Sequence, residues 1–235
     1  MSRRQGESPE RTTNHNRFMQ NDANRYEAMP IYLRARTPAA GWRMVVRRIM
    51  ESGNTRLDER GLETLWLDNV MIHVQDPYTD RLASEYPFSE DVIKNKYATQ
   101  LLTPDRLDFE YTYGERLNAW GDERINQVQY VIRKLRENKN TRRAVATTWD
   151  PRRDHKTDEV PCLNHFVFMT REEELDVSVM IRSNDMFGAW PANVYGVSEL
   201  LRKISADTGL RPGRVTTLSV NAHIYRHDWE RASTI

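Results

Sequence analysis

The sequence predicts a mixed α+β domain, and three observations carry that prediction. Apolar residues recur at helical spacing through much of 37–138, interrupted by an alternating stretch from Val70 to Val74. Beyond Asn138 the pattern changes to β-rich runs. One more amphipathic stretch, Val194 to Ile204, lies between the last two of these runs, so helices and strands share a core.

Residues 1–28 are almost all polar, rich in Arg, Asn, Glu and Ser, and bury too little surface to order themselves. They are expected to form a flexible polar arm ahead of a single domain, 29–235. Thr37 can cap a helix whose first turn suits Pro38, whose core stripe is Trp42, Val45, Val46, Ile49 and Met50, and which Gly53 ends. Val70, Ile72 and Val74 alternate with Met71, His73 and Gln75, the period of a strand, until Asp76-Pro77 stops it. A second helix, capped by Ser89 with Glu90 in its first turn, sets Val92, Ile93, Tyr97, Leu101 and Leu102 along one side. A third, between Asp122 and Asn138, repeats Ile125, Val128, Ile132 and Leu135. Strands are expected over Val145–Trp149, Leu163–Met169, Leu175–Ile181 and Val215–Tyr225, with Arg171-Glu172-Glu173-Glu174 as an exposed hairpin turn. Val194, Val197, Leu200, Leu201 and Ile204 form the helix before the last strand, closed by Gly209.

A chain of 235 residues can bury a proper core but leaves no room for a second catalytic domain. Its 35 Lys and Arg against 34 Asp and Glu give a net charge of +1, so no global field favours nucleic acid or an anionic membrane. Any anion site must be local. No apolar run reaches transmembrane length and the N-terminus lacks a signal-peptide core, which predicts a cytoplasmic protein. The single cysteine, Cys162, forbids an intrachain disulfide and agrees with a reducing compartment.

That cysteine is also the most reactive group in the sequence. It stands in Val160-Pro161-Cys162, after the pair Arg142-Arg143 and before Arg182-Ser183-Asn184-Asp185. A thiol attacks only as thiolate, and guanidinium groups both stabilise that anion and grip phosphate bidentately. Its sequence neighbours do not acidify it, so the charge must arrive through folding, with Arg182 best placed. The ordinary alternative is a small buried hydrophobe; for the arginine pair it is a solvated turn.

Five segments occur together: YGERLNAW (Tyr113–Trp120), TRRAVATTWDP (Thr141–Pro151), VPCLNHF (Val160–Phe166), RSNDMFGAWPANVYG (Arg182–Gly196) and AHIY (Ala222–Tyr225). Their order and spacing over about half the chain resemble the thymidylate synthase family, including the pyrimidine nucleotide hydroxymethylases. The length and loops look closest to the short archaeal-type branch. The resemblance implies a thymidylate synthase-like fold, a mixed sheet packed by helices, with the sheets back to back in a homodimer. It implies methyl transfer to C5 of dUMP, with 5,10-methylenetetrahydrofolate or a methylene-tetrahydropterin analogue as donor and reductant. Cys162 would add to C6, which makes C5 nucleophilic. Tyr113 would assist removal of the C5 proton, and Asp185 would organise water and contact the folate.

The resemblance further assigns the phosphate to Arg182 and Ser183 of one subunit and to Arg142 and Arg143 of its neighbour. Arg60, with Arg56 as competitor, resembles a mobile phosphate ligand. Asn193 can donate and accept at once, matching O4 and N3–H of uracil; its alternative role is a helix N-cap before Val194. His223 and Tyr225, two apart on a strand, face one way and would grip a ribose hydroxyl, where the plain alternative is a core pair. His223 and His227 have helical metal-ligand spacing, but the strand pattern and the missing third ligand argue against zinc, so no metal is expected.

The sequence departs from the family at Leu163, where PCH becomes Pro161-Cys162-Leu163, and at Gly188–Asn193, where LGxPFN becomes GAWPAN. Both changes are expected to line the pocket. The family's catalytic glutamate has no clean counterpart, since Glu90 sits at a helix start and Glu85 before it. Two other functions keep the same nucleotide site: a hydroxymethylase, in which water replaces hydride, and a catalytically idle nucleotide-binding protein. A nucleic-acid-binding module is disfavoured by the near-zero charge.

Overall fold

Seven strands form one mixed sheet in the computed structural model, which describes residues 30–106 and 109–235. The expected arm, 1–28, lies outside the described residues. The sheet order is β1 (Ile31–Ala35), β3 (Glu63–Val74), β7 (Arg211–Tyr225), β6 (Glu174–Asp185), β5 (Leu163–Arg171) and β4 (Val145–Thr147), with β2 (Asn54–Leu57) paired to β3. Neighbours β1 and β3, and β6 and β7, run parallel; the other pairs are antiparallel. The predicted hairpin forms: Arg171 pairs with Glu174, and Glu172 takes the left-handed conformation (φ 58°) that a two-residue turn requires. Sequence reasoning missed β1 and β2 and began β3 and β7 too late.

Helix α1 (Pro38–Ser52) starts as expected, the Ala40 N–H donating to Thr37 Oγ1 at 3.3 Å, and Gly53 caps its end. Trp42, Val45, Val46 and Ile49 are buried against the sheet. Helix α5 (Trp190–Thr208) packs on the same sheet and begins four residues ahead of Val194; Gly209 ends it at φ 74°. The Asn193 N–H donates to Ala189 O, so Asn193 lies inside α5 and its N-cap alternative is wrong. Pro191 explains the early start, because its fixed φ and missing N–H suit a first turn.

Helix α2 is composite: Glu90–Val92, a π-helical Ile93–Ala98, then Thr99–Leu102. Ser89 caps it as predicted. The π-helical turns add residues per turn and rotate the stripe, so Ala98 is buried and Tyr97, expected inside, is exposed. Tyr113, whose ordinary alternative was a strand aromatic, instead opens helix α3 (Tyr113–Asn118), capped by Thr112 Oγ1 accepting from the Glu115 N–H at 3.0 Å. Helix α4 (Gln127–Glu137) is capped by Asn126; Ile125 precedes it, pairs with Trp120 in an isolated bridge and is exposed rather than core. A last short helix, α6 (Trp229–Ala232), follows β7. Among the described residues no helix is long and apolar enough to cross a membrane.

Among the described residues no helix covers the other face of the sheet. One row crosses it from Tyr32 through Met71, Leu218 and Met180 to His165, and Tyr32, Met71 and Met180 are exposed.

Helix α3 meets α2 so closely that a Cβ on Gly114 would overlap the carbonyl oxygens of Gln100 and Thr103. Gly114→Ala should therefore displace α3 and cost about 1–3 kcal/mol, the usual range for overpacking. A urea midpoint equal to that of the parent protein would contradict this.

Candidate active site

Cys162 lies one residue before β5, where the Arg182 N–H donates to its carbonyl at 2.8 Å and ties it to β6. The Arg182 side chain reaches back: Nη2 stands 3.7 Å from Sγ and 3.5 Å from Val160 O. Burial pushes the Cys162 thiol up from its ordinary value, Arg182 pulls it back, and Glu159 and Glu59 push it up again. Cys162 is thus half-buried, packed against the core and in contact with the Arg182 guanidinium, and both features expected of it are present together.

Arg182 and Ser183 open onto a cavity of about 400 Å³ whose walls include Thr64, Trp66, Asn221, His223 and Tyr225. The parallel register sets Ser183 beside Asn221 and Asp185 beside His223. Asn221, which sequence reasoning overlooked, joins the two strands: its Oδ1 accepts from Ser183 Oγ at 3.4 Å and lies 2.7 Å from His223 Nδ1. Its position two residues before His223 on the same strand was the signal that could have found it. The His223 and Tyr225 rings do share a face, edge to face with centroids 4.8 Å apart. Arg60 donates to the Tyr225 hydroxyl at 2.7 Å and is braced by Asp58, whereas Arg56 stacks 4.1 Å above Trp66.

Tyr113 adjoins Cys162 from α3, its hydroxyl facing the backbone N–H groups of Cys162 and Leu163, and burial raises it well above its ordinary pKa. Its neighbour Tyr111 is pushed up to about 12, again by burial first. The carboxyl of Asp185 is raised by burial against the opposing pull of the Gly188 and Phe187 N–H groups, which donate to Oδ1 at 3.1 and 3.0 Å. Asn193 donates to Asn184 Oδ1 at 3.3 Å.

Other expectations fail or stay apart. Arg142 and Arg143 are exposed ahead of β4 and do not line the cavity. Leu163 does not line it either; it is fully buried, because the first residue of β5 points into the core. The changed residues Gly188–Asn193 likewise lie outside the cavity lining, with Trp190 wholly buried and its indole N–H donating to Thr217 Oγ1 at 3.0 Å. Glu85 is held by Arg43 through two hydrogen bonds and Glu90 accepts from the Tyr195 hydroxyl, so neither is free beside the thiol. Among the described residues no three His, Cys, Asp or Glu side chains gather as a metal site.

Burial holds His223 down at about 4 from an ordinary value of 6.5. Between these values the unfolded chain binds a proton that the folded one refuses, so stability falls as pH drops from about 6.5 towards 4. His223→Gln should flatten that fall, while His73, also lowered by burial, contributes equally to both proteins. Urea unfolding at pH 7 and 4.5 tests this; equal losses in parent and variant would refute it.

Comparison with known proteins gives the family. The family model described as thymidylate synthase matches residues 91–235. A protein of Methanococcoides burtonii named "Putative thymidylate synthase" is 42% identical over 204 residues, covering 86% of this chain and 93% of its own. Proteins of the same name from Methanosarcina barkeri and Methanocaldococcus jannaschii are 41% and 34% identical, covering 86% and 80% of this chain and 93% and 87% of theirs. The chain therefore belongs to the thymidylate synthase family.

Proposed function

We propose that the chain is a methyltransferase of thymidylate synthase type that converts dUMP to dTMP. The observation that carries this reading is that Arg182, which lines one cavity with Ser183, Asn221, His223 and Tyr225, also contacts Cys162. The Cys162 thiolate adds to C6 of the pyrimidine, the electrons move to the C4 oxygen, and C5 becomes nucleophilic. Arg182 stabilises the thiolate before attack and, with Ser183 and Arg60, holds the phosphate. His223 stays neutral near pH 7 and, with Tyr225, hydrogen-bonds the sugar hydroxyl. Asn193 keeps its carbonyl and one N–H for the uracil edge after donating to Asn184. Tyr113, neutral and beside Cys162, guides the C5 proton.

A reduced folate such as 5,10-methylenetetrahydrofolate, or a methylene-tetrahydropterin analogue, would supply the one-carbon unit and the hydride that makes it a methyl group. Asp185 fits such a ligand: Oδ1 is fixed by two backbone N–H groups, while Oδ2 has no hydrogen-bond partner among the described residues and is left for the polar edge of a pterin. A second copy of the chain packs on the sheet face that no described helix covers, and Arg142 and Arg143 of each copy complete the phosphate site of the other.

Two experiments test this reading. Incubation with dUMP, formaldehyde and tetrahydrofolate should give dTMP by mass, and 5-fluoro-dUMP should be trapped on Cys162; Cys162→Ala should do neither. A hydroxymethyl product, or a product from dCMP alone, would overturn the assignment in favour of a hydroxymethylase, and no adduct would favour an idle binder. Mixing inactive Cys162→Ala with inactive Arg142→Ala/Arg143→Ala should restore about a quarter of parent activity, because random two-fold dimers then hold one complete site in half the population. No recovery would place the arginine pair outside the shared site.

A further inference from the structure

Helix α3 is fastened to the connector between β4 and β5 by a buried ion pair. Arg116 donates to Asp154 twice, Nη2 to Oδ1 at 2.7 Å and Nη1 to Oδ2 at 3.3 Å, and the two side chains are 3% and 0% exposed. Asp154 Oδ2 also accepts from the Asp150 N–H at 2.7 Å. A second link lies beside it, Arg153 Nη1 donating to Glu115 Oε1 at 3.4 Å. Two opposed charges so deeply buried rarely improve stability over an apolar pair of equal size, which directs attention to what the pair positions.

The connector ends at Cys162, and its two ends are stitched together. The Thr148 N–H donates to Asn164 O at 2.9 Å, Thr148 Oγ1 donates to Leu163 O, and Asn164 Nδ2 donates to Pro161 O at 2.9 Å. Arg116 Nη1 reaches Thr148 O as well, at 3.3 Å. One turn earlier on α3 stands Tyr113, facing the backbone of Cys162 and Leu163. Residues three apart share a helix face, so α3 presses Tyr113 and Arg116 together onto the segment that presents the thiol.

We propose that Arg116 and Asp154 are positioning residues, a clamp that fixes the connector so that the Cys162 thiol meets Arg182 and Tyr113. Neither touches the thiol. The inference rests on Cys162 being the nucleophile, and it assigns to the pair a task distinct from holding substrate. The charged and titratable groups that bear on the thiol are Arg182 from β6, Glu159 from the connector, Glu59 from the loop after β2, Tyr111 just ahead of α3 and Tyr113 at its start. Loosening the clamp weakens the contact with Arg182, the favourable one among them, and so raises the thiol pKa.

The test is the pH profile of Cys162 alkylation by iodoacetamide in the full chain, read by mass without any substrate. Arg116→Met and Asp154→Asn should move the profile to higher pH by half a unit or more, which is about a threefold slower reaction below the pKa. In turnover, kcat should fall while KM for the nucleotide stays, because Arg182, Ser183 and His223 are untouched. Arg116→Lys, which keeps the charge but not the forked geometry, should restore only part of either. If a single variant fails to fold, Arg116→Met/Asp154→Leu replaces the charges with an apolar pair and carries the same expectation. A folded variant with the parent's alkylation profile overturns the clamp, even if its melting point drops. Failure of the functional reading would look different: Cys162→Ala would retain turnover.

Discussion

The site depends on one constraint, the parallel register of β6 and β7. Ser183 opposes Asn221 and Asp185 opposes His223, pairs 38 residues apart in sequence. A slip of one residue would send these side chains to the other face. Helix α5 sets the register, because it crosses from the end of β6 back to the start of β7 and buries Val194, Val197, Leu200, Leu201 and Ile204 on the way. Its first residue is pinned to β7 by the Trp190 indole on Thr217. β5 then adds Cys162 through the Arg182 backbone, so the thiol inherits the same register.

Burial acts on this cluster in a single direction. It raises Cys162, Tyr111, Tyr113, Asp185 and Tyr225 and lowers His223, in each case towards the neutral form. The permanent charges are what remain. Arg60 is braced by Asp58, but Arg182 forms no ion pair among the described residues. Arg182 is exposed at a cavity whose walls also carry the carboxylates of Asp58 and Glu59, so its guanidinium is the one cation among the lining residues and the group to which an anion would hydrogen-bond. In the proposed reading the nucleotide phosphate supplies the partner.

How much of this was legible in the sequence follows from the range of the forces involved. Thr37, Ser89 and Gly209 were read correctly because caps are local. Cys162, Arg182, Ser183, His223 and Tyr225 stand out through the family's motifs, and the strands put the last four, though not Cys162, on the walls of one cavity. Asn221 was missed although it stands two residues from His223, since a polar residue in an alternating strand looks like solvent exposure. Tyr97 was misplaced because helical periodicity assumes 3.6 residues per turn, which a π-helical segment violates. Leu163 is expected at the pocket because it replaces the histidine of the family's PCH motif, yet alternation along β5 turns it into the core. Arg116 and Asp154 were invisible, for nothing in a surface-like charged sequence announces a buried pair across 38 residues.

The strand order bears most directly on Arg142 and Arg143. They precede β4, which is the sheet edge, while the cavity is lined from β6, β7 and β3. With strands about 4.8 Å apart, β5 alone puts roughly 10 Å between β4 and β6, and the cavity extends further still across β7. An arginine side chain at the head of β4 would have to run back over the sheet to reach its own Ser183. In the proposed reading the route runs instead from a second copy on the face that no described helix covers. Its row of Tyr32, Met71, Leu218, Met180 and His165 is largely apolar, three of its members are exposed, and it includes the strands that flank the cavity. On that reading a copy packed there would bring its own β4 edge to the site. In the proposed reading the arginine pair is therefore misplaced only within one subunit, and the phosphate site is finished by the same contact that covers the exposed methionines.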